Sequence, residues 1–245
     1  MLNAVTAQKL EQLGLKGMLR TLEHQQKQPE ISKLCFEERL SMLVDAEISD
    51  RDNRRIERLL KAAKLRHSDA ALEAVNYKPG RNLDRGVLMT LASCTWIQQR
   101  QAVILCGATG VGKSWLACAL GKQACRQGYS VLYITANHLF EEMRVAIGDG
   151  TIGKFKRSLS RLELLIIDDF GIGGVDVSLG PYLLEVIDMQ SAAGALLITS
   201  QFPSEQWYDL FNDTTVADAV LDRIVHRSHL IKLEGDSQRK RQSAS

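Results

Sequence analysis

The spacing of hydrophobic positions changes part-way along the chain, near residue 79. Before that point Leu10, Leu13, Gly14, Gly17, Met18 and Leu22 recur at helical spacing, and Leu34, Phe36, Leu40, Leu43 and Val44 do so again. No proline falls between residues 30 and 78, so nothing covalent interrupts a helix there. The pattern predicts helices over 6–28, 35–49 and 51–66, with a further one over 68–75 that Ser68 could cap. Beyond Tyr77-Lys78-Pro79-Gly80 the apolar residues gather into short runs: AVILC (102–106), VLYIT (131–135), LLIID (164–168), ALLIT (195–199) and HLIKL (229–233). Such runs suit strands covered on both faces of a parallel sheet. Helical stretches over 113–127, 137–147, 181–192 and 214–226 separate them. Strand alternating with helix predicts a doubly wound α/β domain with a parallel five-stranded sheet. The expected organisation is a helical domain over 1–76, an α/β domain over 77–235 and a flexible basic tail over 236–245.

Composition narrows the class without naming the chemistry. With 245 residues, 45% apolar and 24% charged, the chain reads as an ordinary soluble protein of one or two domains. No apolar run reaches the roughly 20 residues that span a bilayer. The start, MLNAVTAQKLEQLG, meets a lysine and a glutamate too early for a secretory signal. Five cysteines with no CxxC pair indicate neither a disulfide framework nor a zinc knuckle, and a reducing cytoplasm is the expected compartment. His226 and His229 lie three apart without an evident third ligand, which argues against catalytic zinc. The net charge of +2 is too small to imply a polyanionic partner, so its distribution matters more.

The strongest chemical signal follows the first predicted strand. Residues 107–114 read GATGVGKS, which fits the P-loop pattern G-x-x-x-x-G-K-[ST]. Gly107, Gly110 and Gly112 let the backbone turn tightly and aim N–H groups at an anion, with Ala108, Thr109 and Val111 between them. The helix that opens at Lys113 adds its positive dipole end. Lys113 can reach the β and γ phosphates as a point charge, and the Ser114 hydroxyl can ligate Mg²⁺. Trp115 follows directly and extends the expected nucleotide contacts; its indole is otherwise a packing residue, as are Trp96 and Trp207.

A second signal is LLIIDDFG at 164–171, where an apolar strand runs into two adjacent carboxylates. Two such charges side by side are costly unless a cation or donors compensate them. A P-loop nucleotide brings Mg²⁺, and a strand ending in aspartate supplies its second protein contact. Asp168 is therefore the expected metal ligand, through water, and Asp169 the residue that orients or deprotonates an attacking water.

Together these residues resemble the AAA+ ATPases and, more narrowly, the IstB-like ATPases of bacterial insertion sequences, relatives of the DnaC helicase loaders. The likeness extends to LGLKGMLRTLEHQ, FEERLSMLVDAEISDRDNRRIERLLKAAKLR, ITSQFPSEQW and AVLDRIVHRSHLIKLEGDS. The resemblance implies an ATP-binding accessory of transposition that oligomerises on duplex DNA and hands the target to a partner transposase, which stimulates hydrolysis and disassembly. A DnaC-type helicase loader is the alternative. Carried over by residue, Lys113 and Ser114 match the Walker A pair and Asp168 the Walker B aspartate. Asp169 stands where most AAA+ proteins have glutamate, one methylene longer. Gln201 or Ser200 would be the sensor after the fourth strand. Arg223 would be the arginine finger for the next subunit, with Arg227 as the other candidate. Arg239 would correspond to a terminal arginine, and the helical lid of many AAA+ proteins is expected to be missing or vestigial.

The stretch RDNRRIERLLKAAKLR (51–66) then gains meaning. At 100° per residue, Arg51, Arg54, Arg55, Arg58, Lys61 and Arg66 share one face. A basic stripe is a footprint for phosphate backbone as well as a solvated helix face; with the resemblance it becomes a duplex-DNA contact, weakly sequence-selective and salt-dependent. Lys154, Lys156, Arg157 and Arg161 form a second basic group before the LLIIDD strand.

Overall fold

The computed structural model describes residues 4–77, 80–211, 213–225 and 228–238. Its chain divides into two compact units, residues 1–58 and 59–245.

In the first unit, α1 (Ala4–Gln12) and α2 (Lys16–Lys27) replace the single helix expected over 6–28. Gly14, at φ 72°, turns the chain between them, a backbone state open to glycine. After a 3-10 turn over Ile31–Lys33, the helix α3 (Phe36–Ala63) runs 28 residues without a break. It fuses the two helices expected over 35–49 and 51–66, because neither glycine nor proline interrupts the segment between them. Its start is fixed by Glu38, whose carboxylate accepts the Cys35 N–H at 2.9 Å. It ends at Lys64, which takes a left-handed φ of 52°. Arg66 therefore lies outside the helix. The helix expected over 68–75 shrinks to a 3-10 turn over Leu72–Ala74.

A buried carboxylate ties α2 to α3. Glu47, 5% exposed, accepts the Gly17 N–H at 2.8 Å and the Met18 N–H at 3.3 Å on one oxygen. Its other oxygen accepts Arg51 Nε at 2.8 Å and Arg54 Nη2 at 3.4 Å. Burial pushes its pKa up, but the bonds from Arg51, Met18 and Gly17 outweigh that, and the net displacement is downward. The two amides are among those a helix N-terminus leaves without intrahelical partners. The helices touch at Gly17, where a Cβ would sit 2.5 Å from the Ala46 carbonyl oxygen.

The second unit carries α4 (Arg85–Ala92), α5 (Thr95–Gln98), β1 (Ala102–Cys106), α6 (Lys113–Arg126), β2 (Val131–Thr135), α7 (Ala136–Gly148), α8 (Ile152–Leu159), β3 (Leu164–Phe170), α9 (Gly180–Ala193), β4 (Ala195–Ser200), α10 (Thr214–Val225) and β5 (Ser228–Lys232). Among the described residues five strands form one parallel sheet in the order β2-β3-β4-β1-β5. Each lies within two residues of its expected run. The sequence pattern missed α4, α5, α8 and the 3-10 segment Ser204–Leu210, all short.

Alternate strand residues enter two separate layers, as a period of two requires. Val103, Leu105, Leu164, Ile166 and Leu197 pack with α4, α5 and α6, while Ile104, Leu165, Ile167, Leu196 and Ile198 pack with α7, α9 and α10. Leu59, Leu60, Ala63, Leu65, Ala70 and Val75 join the first layer, so packing begins the α/β unit well before residue 77. Cys94, Cys118 and Cys125 are interior packing residues whose thiols burial pushes up to about 11. Among the described residues no helix is long and apolar enough to cross a membrane.

Gly17→Ala should lower the stability of the full chain by about 1–3 kcal/mol, because the added methyl meets backbone atoms that cannot rotate away. Urea denaturation followed by circular dichroism measures this; an unchanged midpoint for the helical unit would contradict the close approach.

Candidate functional site

The sheet puts two loops at the same edge. In open parallel sheets, ligands bind beyond the carboxyl ends of the strands, where strand order reverses. Here β1 lies between β4 and β5, while the chain leaving it goes to β2 at the far side. Residues 107–112 follow β1 at that edge and open α6. Gly107, Gly110 and Gly112 hold φ of 146°, 87° and 99°, the backbone states the P-loop reading requires. A Cβ on Gly107 would also lie 2.2 Å from the Leu233 carbonyl oxygen. Lys113, 5% exposed, donates from Nζ to the carbonyls of Gly107 at 2.7 Å and Ala108 at 3.0 Å. Its cation thus lies within the curl of the loop. Ser114 occupies the next position of α6. Trp115, expected among the nucleotide contacts, packs partly buried against the core layer of α6.

The second loop is the tip of β3. Asp168 is fully buried, and both its oxygens are occupied by hydroxyl donors. Tyr133 Oη of β2 donates to Oδ2, and Thr199 Oγ1 of β4 donates to Oδ1 at 2.5 Å. Burial, followed by the Asp168 carboxylate, pushes the Tyr133 phenol far up, so it stays a protonated donor. Asp169 has a left-handed φ of 58°, and its N–H donates to Thr199 Oγ1 at 3.0 Å. The Asp168 carboxylate is thus met by two hydroxyl donors.

A cation lies nearby, from a residue assigned otherwise by sequence. Arg66 belongs to the expected DNA stripe, yet it lies within electrostatic reach of the Tyr133 hydroxyl and of Asp168 and Asp169. Tyr133 and, less strongly, the two carboxylates raise its pKa against the opposing effect of burial. The left-handed turn at Lys64 takes Arg66 off the helix face and toward the sheet, which corrects the helical-wheel assignment.

Gln201 and Ser200 separate cleanly. Gln201 Oε1 accepts the Thr109 hydroxyl at 2.8 Å, joining the end of β4 to the P-loop. Ser200 is buried, donating to the Phe170 carbonyl at 2.8 Å and accepting the Phe202 N–H at 3.1 Å. A flank that sequence reasoning missed also lines the loop. The Leu233 N–H donates to the Cys106 carbonyl at 2.7 Å and the Gln238 N–H to the Gly110 carbonyl at 2.8 Å. Arg81 donates from Nη2 to the Val111 carbonyl at 2.9 Å and from Nη1 to that of Asn76 at 2.7 Å. Residues 236–238, expected in a flexible tail, are held against the loop in this way. The signals were faint: one arginine after a Pro-Gly pair, and single hydroxyls inside apolar runs at Tyr133 and Thr199.

Arg223 lies elsewhere. At the C-terminal end of α10, it ion-pairs through Nε with Asp188 of α9 and donates from Nη1 to the Ala219 carbonyl at 2.8 Å. With Ala102 and Leu196 it lines a small cavity of about 30 Å³ where β1 and β4 begin. The P-loop follows the other end of β1. Of the remaining basic residues, Arg51 pairs with Glu47, and Arg54 with Glu47 and Asp50 on the same helix. Arg55, Arg58 and Lys61 are exposed on α3. Lys156 of the second basic group is tied to Glu185 and lies over the Tyr182 ring. Arg227, Arg239 and His226 fall outside the described residues.

The donors suit magnesium better than a softer metal. Ser114 and Asp168 offer oxygen alone, and Mg²⁺ keeps several waters while binding through one or two carboxylates and substrate phosphates. Among the described residues no group of three or more His, Cys, Asp and Glu is arranged as a metal site, so an all-protein cage for zinc is not offered.

Comparison with known proteins agrees with this geometry. The chain matches the family described as IstB-like ATP binding protein over residues 8–245. It is 46% identical over 204 residues to a Pseudomonas fluorescens protein named for ATP binding and for the insertion sequence IS1162, covering 83% of this chain and 88% of that one. It is 40% identical over 242 residues to an insertion sequence ATP-binding protein named from Sinorhizobium fredii, covering 99% and 98%. Among solved structures, the DnaC helicase loader superposes with a TM-score of 0.57 at 17% identity, over 69% of this chain and 99% of that one. DnaI superposes with a TM-score of 0.58 at 18% identity, over 72% and 93%. These two likenesses identify the fold alone, an α/β unit around a parallel five-stranded sheet. The match along nearly the whole sequence and the identity to its relatives make this chain a member of the IstB-like ATP-binding proteins.

Proposed function

We propose that the protein is an insertion-sequence ATPase that assembles on duplex DNA, prepares a target site for a partner transposase and is released by hydrolysis. The observation that carries the ATPase reading is the convergence of the P-loop with the Asp168–Asp169 tip at one sheet edge. In this reading the loop amides and Lys113 bind the triphosphate. Ser114 and Asp168 would hold a Mg²⁺ ion, which would neutralise phosphate charge. Asp169 orients or deprotonates the attacking water. Gln201, already bonded to Thr109, acts as the sensor of the terminal phosphate.

Arg223 is the finger offered to a neighbouring subunit. Its position where β1 begins supports this: β1 spans five residues, roughly 13 Å at the rise of a strand, and separates Arg223 from the loop of its own chain. Hydrolysis then depends on oligomerisation. Contact with duplex DNA rests on Arg55, Arg58 and Lys61, exposed on α3, while the charges of Arg51 and Arg54 are partly offset by Glu47 and Asp50. The names of the relatives, tied to insertion sequences, favour the transposition setting.

Lys113→Ala should weaken ATP binding at least about tenfold, measured by titration with a fluorescent analogue, since a charge-assisted contact to phosphate is lost; equal affinity would remove the loop from the mechanism. Arg223→Ala should bind ATP normally while turnover falls on the order of 10³-fold. Normal turnover would show the finger to be misassigned. Arg55→Glu with Arg58→Glu should weaken duplex binding and flatten its dependence on salt concentration. An unchanged salt slope would move DNA contact off α3.

A further inference from the structure

We propose that Thr199 is a positioning residue that locks Asp168 and Asp169 into a single arrangement, so that the metal-side and water-side carboxylates cannot shift independently. The inference rests on the ATPase reading above and deepens it.

The pairing of β3 with β4 is regular up to Ile167 opposite Ile198, and it resumes with Phe170 opposite Ser200. Two residues of β3, Asp168 and Asp169, therefore stand against the single Thr199. This is a β-bulge, a device that re-aims side chains beside active sites. Without it, strict alternation would send neighbouring side chains to opposite faces of the sheet. The bulge needs Asp169 at φ 58°, a strained state for a residue with a Cβ. Something must hold it there.

Thr199 does so with one atom. Its Oγ1 accepts the Asp169 N–H at 3.0 Å and donates its own proton to Asp168 Oδ1 at 2.5 Å. A hydroxyl carries one donor and two acceptor sites, so both bonds coexist. Thr199 is fully buried, and no solvent competes for either bond. As a β-branched residue it has few accessible χ1 states, which fixes the direction of both. Tyr133 holds the second Asp168 oxygen independently. Carboxylate placement thus depends on Thr199 twice: through the side chain of Asp168 and through the backbone of Asp169.

Valine fills the same space without the hydroxyl, and serine keeps the hydroxyl with a freer side chain. Thr199→Val should bind a non-hydrolysable ATP analogue in EDTA within about twofold of the parent protein, because that binding uses the P-loop. Its Mg²⁺ half-saturation for analogue binding should rise severalfold, and its kcat in the presence of duplex DNA should fall about 10–100-fold with little change in KM, the scale of a catalytic group displaced by a fraction of an ångström to one. Thr199→Ser should recover both within about threefold. Circular dichroism melting verifies folding, and Thr199→Ala replaces the valine variant with the same expected outcomes if valine does not fold. The proposal is overturned if Thr199→Val keeps the parent Mg²⁺ requirement and turnover, or if serine and valine are equally impaired. If the parent protein does not hydrolyse ATP, the ATPase reading fails, while the Mg²⁺ requirement of valine against serine still decides the role of Thr199.

Discussion

Asp168 is an ionisable side chain with no exposed surface, and a carboxylate withdrawn from water is unfavourable by several kcal/mol unless its oxygens find donors or cations. Three elements meet that demand. β2 brings the Tyr133 phenol, β4 brings the Thr199 hydroxyl, and the segment after α3 brings the Arg66 guanidinium near the same cluster. The strand order makes this possible, because β3 lies between β2 and β4 and receives a polar side chain from each. The apolar layers on both faces of the sheet fix these strands, so the donors arrive in place rather than by adjustment. Such a preorganised cluster is what charge stabilisation in a reaction requires.

The same sheet separates two chemistries along the strand direction. Loops that follow β1, β3 and β4 meet at one edge, where Gln201 links to Thr109 and Gln238 to Gly110. The edge where β1 and β4 begin carries Arg223 with Asp188. The P-loop thus lies at one edge and the Arg223 guanidinium at the other. Head-to-tail association would bring the two together between subunits, an arrangement that fits heterologous assembly into rings or helices. The ion pair with Asp188 would then hold the guanidinium at its own edge until a partner arrives.

The strands β1 to β4 were legible because each is a short, mainly buried apolar run between helical stretches, while β5, at the sheet edge with only Ile231 buried, was legible from its apolar run alone. The P-loop was legible because its backbone conformation requires glycine at fixed spacing. Other features depended on context that spacing does not carry. The helical pattern continues through Gly14, where one positive φ splits it into α1 and α2. The wheel through residue 66 placed Arg66 with Arg58 and Lys61, but a turn at Lys64 took it to the acidic cluster. Tyr133 and Thr199 sit in runs that read as core, and only pairing across β2, β3 and β4 reveals their contacts with Asp168. The flank of Arg81 and residues 233–238 comes from chain segments about 150 residues apart, as the bond from Asn82 Nδ2 to the Lys232 carbonyl also illustrates.

In the proposed ATPase the P-loop and the buried strand-tip carboxylate act together on a magnesium-bound triphosphate. Calorimetric titration of ATP into the purified protein and into Asp168→Asn, with and without Mg²⁺, tests it most directly. The account predicts that Mg²⁺ strengthens ATP binding to the parent protein, and that Asp168→Asn loses this strengthening while keeping its affinity in the absence of the metal. Equal strengthening by Mg²⁺ in both proteins, or no binding of ATP by the parent protein, would contradict it.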